Sequence, residues 1–149
     1  NTWIGPNVTI MNGARIGSHC RIFPGAVISA IPQDLKFVGE QTTAEVGDHT
    51  TIRECVTINR GTSDRMTTKV GSHCLLMAYV HIAHDCTLGN DIVMSNQATL
   101  AGHVEVGDQS VLGGLCAVLQ FTRIGEGAMI SGLSVVIIDC RSPCHHFLP

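Results

Sequence analysis

Residues 70–135 read, in groups of six, VGSHCL-LMAYVH-IAHDCT-LGNDIV-MSNQAT-LAGHVE-VGDQSV-LGGLCA-VLQFTR-IGEGAM-ISGLSV, and every group begins with Val, Leu, Ile or Met. The same phase recurs from Ile4 to Val136, and only Asp34, Glu40 and Asp64 break it. A period of six fits neither a 3.6-residue helix nor an alternating sheet. It is typical of hexapeptide repeats, whose short parallel strands wind around a three-sided prism. The sequence therefore predicts an all-β fold, the parallel β-helix.

The three exceptions lie in two polar stretches that interrupt the repeat. We expect residues 29–45 and 59–69 to form two loops that project from the prism. The repeat as a whole predicts one β-helix domain over residues 1–136. Residues 137–149 carry no repeat and predict an irregular tail.

The amino-acid composition indicates which binding partners and which cellular compartment to expect. Charged residues make up 14% of the chain, the formal net charge is −3, and no basic block is present, so nucleic acid is not an expected partner. No apolar run reaches the roughly 18 residues of a membrane span. Several cysteines occupy the fifth position of a hexad, where a narrow prism admits only compact side chains. We expect them to be small buried thiols in a reducing, cytoplasmic compartment: Cys20, Cys74, Cys86, Cys116 and Cys140.

The repeat also predicts which polar side chains meet. Three hexads make one coil, so residues three hexads apart should lie above one another at a spacing of about 4.8 Å. The columns predicted in this way are His84 over Gly102 and Gln120, Asp85 over His103, and His81 over Thr99.

Three interpretations of this histidine cluster stay open at this level. Polar residues on the outer face of a repeat protein can simply be solvated. Three imidazoles could instead hold zinc, although the spacing differs from that of the γ-carbonic-anhydrase type of β-helix metalloenzyme. A histidine could also act as a general base with a carboxylate to orient it. A glycine stacked under His84 fits the last interpretation, because an uncovered N–H can approach a developing oxyanion.

Five segments resemble one family of hexapeptide-repeat enzymes, the acyl-ACP–UDP-N-acetylglucosamine O-acyltransferases of lipid A biosynthesis, in their Bacteroides-like form. They are IPQDLKFVGE, TIRECVTINRGT, LLMAYVHIAHDCTLGN, ATLAGHVEVGD and GGLCAVLQFTRIG. The resemblance implies a left-handed coil and a homotrimer. It also implies transfer of a 3-hydroxyacyl chain from acyl carrier protein to UDP-N-acetylglucosamine, with no metal and no bound cofactor.

The resemblance further implies a role for each matching residue. His84 would be the general base on the sugar 3-hydroxyl, Asp85 would orient it, and Gly102 would supply an oxyanion N–H. Strand alternation alone does not predict a direct contact between His84 and Asp85. The residues that would contact the sugar nucleotide or the acyl chain are Gln33, Asp34, Lys36, His81, His103, Gln120, Met129 and Gly132. The first three would act from the projecting loop across a subunit boundary, whereas Gly132 would set acyl length in a groove lined by Met129.

The sequence also departs from this family. Leu119 stands where the family usually has a histidine before the glutamine. The family carries further N-terminal hexads and a C-terminal helical domain, so we expect a chain truncated at both ends, with impaired substrate binding. An inactive trimeric scaffold of the same fold is therefore an alternative. The related N-acyltransferase of the same pathway is another, which the HIAHDC and PQDLK segments disfavour.

Overall fold

The computed structural model describes residues 1–141 and the strand His145–His146, and in these residues the regular elements are all short strands. In chain order they are β1 (Trp3–Ile4), β2 (Thr9–Ile10), β3 (Ala14–Ile16), β4 (Arg21–Ile22), β5 (Val27–Ala30), β6 (Thr43–Val46), β7 (Thr51–Ile52), β8 (Thr57–Asn59), β9 (Thr67–Val70), β10 (Leu75–Leu76), β11 (His81–Ile82), β12 (Thr87–Leu88), β13 (Val93–Met94), β14 (Thr99–Leu100), β15 (Glu105–Val106), β16 (Val111–Leu112), β17 (Ala117–Val118), β18 (Arg123–Ile124), β19 (Met129–Ile130), β20 (Val135–Val136) and β21 (His145–His146).

Every third strand joins the same sheet, so the chain winds around three parallel sheets. The first sheet has the order β1-β4-β7-β10-β13-β16-β19-β21, the second β2-β5-β8-β11-β14-β17-β20, and the third β3-β6-β9-β12-β15-β18. His81 pairs with Thr99, and Thr99 pairs with Ala117. The stacking expected from the six-residue period is therefore confirmed.

The core is the row of aliphatic side chains that begin the hexads. From Ile22 to Val136 every aliphatic member of this row is buried, with at most 4% of its surface exposed. Toward the first coil the row becomes accessible, and Ile10 is 43% exposed. Burial of one aliphatic residue per hexad is the main favourable term for such a fold.

Both interruptions project where they were expected, with shorter bounds. The first runs between β5 and β6 over residues 31–42, and the second between β8 and β9 over residues 60–66. The flanking residues stay in the sheets because the strand ladders extend beyond the aliphatic positions on both sides, as in the pairing of Ala30 with Asn59 after one interruption begins and of Thr43 with Thr67 before it ends.

The part expected to be an irregular tail contains some pairing. Cys140 forms an isolated parallel bridge with Ile124, and β21 pairs with β19. The domain boundary at residue 136 stays a prediction. No helix of the described residues is long and apolar enough to cross a membrane.

The cysteines of the fifth position are buried as expected. Cys20, Cys74, Cys86 and Cys116 are free thiols, and burial raises the pKa of Cys86 to about 12 and that of Cys116 to about 11. Cys140 is also buried but is disulfide-bonded, so the expectation of a thiol is wrong at this position. Cys140 occupies the fifth position of the hexad that begins at Val136, beyond the uninterrupted repeat of residues 70–135.

Candidate active site

The site lies at the prism corner where the chain leaves the second sheet for the third. One residue of each turn there has a left-handed backbone conformation, with φ of 59° for Asp85, 63° for His103 and 63° for Phe121. These residues form a column up the corner. The rings of His103 and Phe121 are stacked, with centroids 4.5 Å apart.

His84 and Asp85 are in direct contact. Nδ1 of His84 lies 2.9 Å from Oδ2 of Asp85, the carboxylate is fully buried, and the imidazole is 15% exposed. Alternation of side chains across a strand would have kept these neighbours apart. It does not apply here, because β11 ends at Ile82 and Asp85 lies in a turn with positive φ.

The Asp85 carboxylate receives hydrogen bonds on both oxygens. Oδ1 accepts the N–H of Thr62 at 3.0 Å and that of Arg65 at 3.3 Å, and Oδ2 accepts the Thr62 hydroxyl at 2.5 Å. Nε2 of His103 lies 3.7 Å from Oδ2. Burial acts to raise the pKa of Asp85, but the hydrogen bonds from Thr62 and His84 outweigh it and hold that pKa below its ordinary value. Asp85 is therefore ionised at neutral pH.

His84 lies directly against Gly102. A Cβ added to Gly102 would lie 2.6 Å from Cε1 and 2.7 Å from Nε2 of His84, so only glycine leaves room for the imidazole. Within the described residues, Gly102 N–H donates to no acceptor, although the residue is buried. An unpaired N–H beside a histidine is a candidate oxyanion donor.

A cavity of about 520 Å³ opens above the imidazole, and the first projecting loop closes one side of it. Its lining residues are Gln33, Asp34, Leu35, Lys36, His84, His103, Gln120 and Phe121. A smaller cavity of about 280 Å³ adjoins it under the second projecting loop. That cavity is lined by Asp34, Lys36, Glu40, Thr62, Ser63, Asp64, His103 and Phe121.

Most of the predicted site residues thus meet around one corner of one chain. Gln33, Asp34 and Lys36 share the cavity with His84 of their own chain, so a second subunit is not needed to bring them to it. The expected contribution of this loop across a subunit boundary stays a prediction.

Three predicted residues lie elsewhere in the described structure. His81, on β11, faces Thr57, whose hydroxyl lies 2.7 Å from its Nδ1, and burial lowers the pKa of His81. Met129, on β19, belongs to the first sheet, and Gly132 lies at the corner between the first and second sheets. None of the three lines the cavity that contains His84.

Sequence reasoning missed several contributors, among them Phe121 and Thr62. Phe121 follows His103 by three hexads, so the stacking rule could have found it. Thr62 lies in the second loop, where no period constrains the chain, and no sequence signal identified it.

The same groups could serve as metal ligands or as an acid–base pair. His84, Asp85 and His103 offer ligand atoms within 4.8 Å of one another. However, the carboxylate that would bind a metal ion already accepts hydrogen bonds from the Thr62 hydroxyl and from His84. Because an ionised carboxylate can only accept, Nδ1 of His84 carries the proton and Nε2 is left as a base. This arrangement favours acid–base chemistry.

The six-residue repeat and the three-sheet parallel β-helix are those of the hexapeptide-repeat class of proteins. In agreement, the family model described as bacterial transferase hexapeptide (six repeats) matches residues 1–30 and 67–102. The structure superposes on UDP-N-acetylglucosamine acyltransferase from Bacteroides fragilis with a TM-score of 0.86 and 45% identity, covering 95% of this chain and 53% of that one. The fold is accordingly a left-handed parallel β-helix.

Curated sequences identify the family within this class. The acyl-[acyl-carrier-protein]–UDP-N-acetylglucosamine O-acyltransferase of Campylobacter concisus is 46% identical over 95% of this chain and 57% of its own length. That of Herminiimonas arsenicoxydans is 53% identical over 79% of this chain and 45% of its own length. The chain belongs to the UDP-N-acetylglucosamine O-acyltransferase family and spans about half the length of the curated relatives it matches.

Proposed function

We propose that this chain carries the acyl-transfer site of a UDP-N-acetylglucosamine O-acyltransferase. The reaction moves a 3-hydroxyacyl group from acyl carrier protein to the 3-hydroxyl of UDP-N-acetylglucosamine, the first step of lipid A biosynthesis. The choice of substrates is supported by the names of the similar proteins, which specify acyl carrier protein and UDP-N-acetylglucosamine. The observation that carries the proposal is the His84–Asp85 pair beneath a cavity that the first loop closes on one side.

The chemistry follows from the protonation state of the pair. Nε2 of His84 takes the proton of the sugar 3-hydroxyl, and the alkoxide oxygen attacks the thioester carbonyl carbon. The unpaired N–H of Gly102 supports the oxyanion that forms. The carbon–sulfur bond then breaks, and the imidazolium returns its proton to the leaving thiolate. Asp85 stabilises the imidazolium while it carries the second proton. No step of the proposed reaction uses a cofactor.

The remaining predicted residues belong to substrate binding in this proposal. Lys36 and His103 border the cavity and suit the phosphates of a sugar nucleotide, and Gln33, Asp34 and Gln120 suit hydroxyl and amide groups. His81, Met129 and Gly132 lie apart from this cavity and would contact substrate only where a neighbouring prism packs against them.

A homotrimer is therefore part of the proposal. Large apolar side chains in the last coils are more than half exposed, which leaves a face for another copy of the chain to cover. They are Leu115, Phe121, Leu133, Val135, Ile137 and Ile138. A cytoplasmic location is proposed with it, supported by the four free buried thiols.

The decisive experiment is transfer of a labelled 3-hydroxyacyl group from acyl carrier protein to UDP-N-acetylglucosamine, after the mass in solution has been measured. We expect His84→Ala to lower the rate by about 10²-fold or more, the contribution of a general base. His49→Ala is the matched control, since His49 is an exposed histidine at a different corner. A folded wild-type chain that transfers nothing would instead identify an inactive scaffold. Equal rates for His84→Ala and wild type would contradict the assigned base.

A further inference from the structure

Thr62, in the second projecting loop, contacts the carboxylate of the acid–base pair directly, although Thr62 has no part in the proton transfer itself. Thr62 donates both its backbone N–H and its hydroxyl to the Asp85 carboxylate, one to each oxygen, at 3.0 Å and 2.5 Å. Thr62 is 6% exposed and Asp85 is fully buried. The two hydrogen bonds therefore form away from solvent, where a charge-assisted bond is strongest.

The hydrogen-bonding pattern fixes the direction of the Thr62 hydroxyl. Its Oγ1 accepts the N–H of Asp64 at 3.3 Å, and its only hydrogen is left for Oδ2 of Asp85. The same Oδ2 accepts Nδ1–H of His84 at 2.9 Å. Oδ2 of Asp85, the oxygen that selects the His84 tautomer, is thus held between the Thr62 hydroxyl and the His84 imidazole.

The loop that carries Thr62 is itself held in place. The carbonyl of Thr62 accepts the N–H of Met66 at 2.8 Å, which closes the loop as a tight turn. The adjacent Ser63 donates its N–H to Oε1 of Glu40 at 3.0 Å, and Glu40 also accepts the N–H of Val38. Glu40 therefore ties this loop to the first one, which borders the cavity.

We propose that Thr62 is a positioning residue, whose hydroxyl holds the Asp85 carboxylate so that His84 keeps its proton on Nδ1 and presents Nε2 as the base. This inference rests on the proposed acyltransferase function for its kinetic consequence. Its structural consequence, the tautomer of His84, can be measured without turnover.

The test compares Thr62→Val, which keeps the shape and the backbone N–H, with Thr62→Ser, which restores the hydroxyl. Thr50→Val is the matched control, because Thr50 is a buried threonine that donates its hydroxyl to the Gly71 carbonyl at a different corner of the prism. The ¹⁵N chemical shifts of His84 report the tautomer. Steady-state kinetics report kcat and the KM for UDP-N-acetylglucosamine.

We expect Thr62→Val to weaken the preference for the Nδ1–H tautomer, because Oδ2 of Asp85 is no longer held toward His84. We expect kcat to fall about 10-fold, with KM changed less than about twofold, because the lost bond reaches a charged group. Thr62→Ser should restore both values, and Thr50→Val should change neither. A Thr62→Val protein that keeps the wild-type tautomer would overturn the proposal. If that variant does not fold, Thr62→Ala is measured in the same way.

Failure of the two proposals is distinguishable. A wild-type chain without transfer activity, in which Thr62→Val still changes the tautomer, would overturn the proposed function and support the positioning role. An active chain whose kcat and tautomer are both insensitive to Thr62→Val would overturn the positioning role alone.

Discussion

At the scale of single residues, the site depends on how closely His84 can approach its neighbours. One neighbour is the Asp85 carboxylate, and the other is the backbone of Gly102, against which the imidazole lies without an intervening side chain. Gly102 has no positive φ that would itself demand glycine. The requirement for glycine there is one of space beside the base.

This predicts a specific effect of Gly102→Ala. The new Cβ would lie 2.6 Å from Cε1 of His84, so the imidazole must shift while the backbone can stay as it is. Because displacement of a catalytic group by about 1 Å can cost about 10² in rate, we expect kcat to fall by that order. The measurement is the transfer assay, with thermal unfolding as a check on the fold.

A double-mutant cycle on stability tests whether the new Cβ clashes with the His84 imidazole. In a His84→Ala background the ring is absent, so Gly102→Ala should destabilise the fold less than it does in the wild type. Equal destabilisation in the two backgrounds would mean that the clash with His84 is not the cause.

The residues that could be predicted from the chain's own periodicity are those that the six-residue period constrains, whereas Gln33, Asp34 and Lys36 were expected only from the family resemblance. His84 over Gly102 and Asp85 near His103 follow from counting hexads, and the structure brings both pairs together. The contact of His84 with Asp85 could not be derived in this way. It depends on the left-handed conformation of Asp85, and the period does not determine backbone torsions in a turn.

At the scale of elements, the two projecting loops complete the site that the prism begins. Their presence could be predicted from the lapses in the repeat, but their docking could not. It depends on individual contacts such as Glu40 with Ser63 and Thr62 with Asp85, which no repeat specifies. The buried Asp85 carboxylate accepts three hydrogen bonds from residues 60–66 and so anchors this loop.

Because of this anchor, stability should depend on pH through Asp85. Its pKa in the fold lies below the ordinary value of 3.8, so the unfolded chain binds a proton first as the pH falls. The stabilisation is fully present above about pH 3.8 and is lost as the pH falls through the lower pKa of the folded state. We expect the free energy of unfolding in urea to fall more steeply below pH 3.8 in the wild type than in Asp85→Asn.

The control for this pH series is Asp91→Asn, an exposed carboxylate at a different corner. Its profile should follow that of the wild type. If Asp85→Asn and wild type have parallel profiles through the acid range, then Asp85 does not anchor the loop through its charge.

At the scale of the whole molecule, each coil is held mainly by the coils above and below it. One corner illustrates this with a ladder of side-chain acceptors. In each coil a backbone N–H donates to a side-chain oxygen of the next coil. The successive pairs are Ser18 with Asp48, Asp48 with Ser72, Ser72 with Asn90, and Asn90 with Asp108. In such a quasi-linear fold, stability is approximately a sum of repeats and nearest-neighbour interfaces. The effect of a core substitution should therefore depend on whether its coil has a neighbour on both sides.

Ile82 and Ile10 provide a matched pair for this expectation, since both begin a hexad and both lie in strands of the second sheet. Ile82 is fully buried, whereas Ile10 is 43% exposed. We expect Ile82→Ala to lower the free energy of unfolding by about 2–5 kcal/mol, because it leaves a cavity between packed coils. Ile10→Ala should lower it by about 1 kcal/mol or less, because solvent already reaches the site. Urea unfolding of the two variants measures the difference, and equal losses would mean that the prism is a single cooperative core rather than a stack of coils.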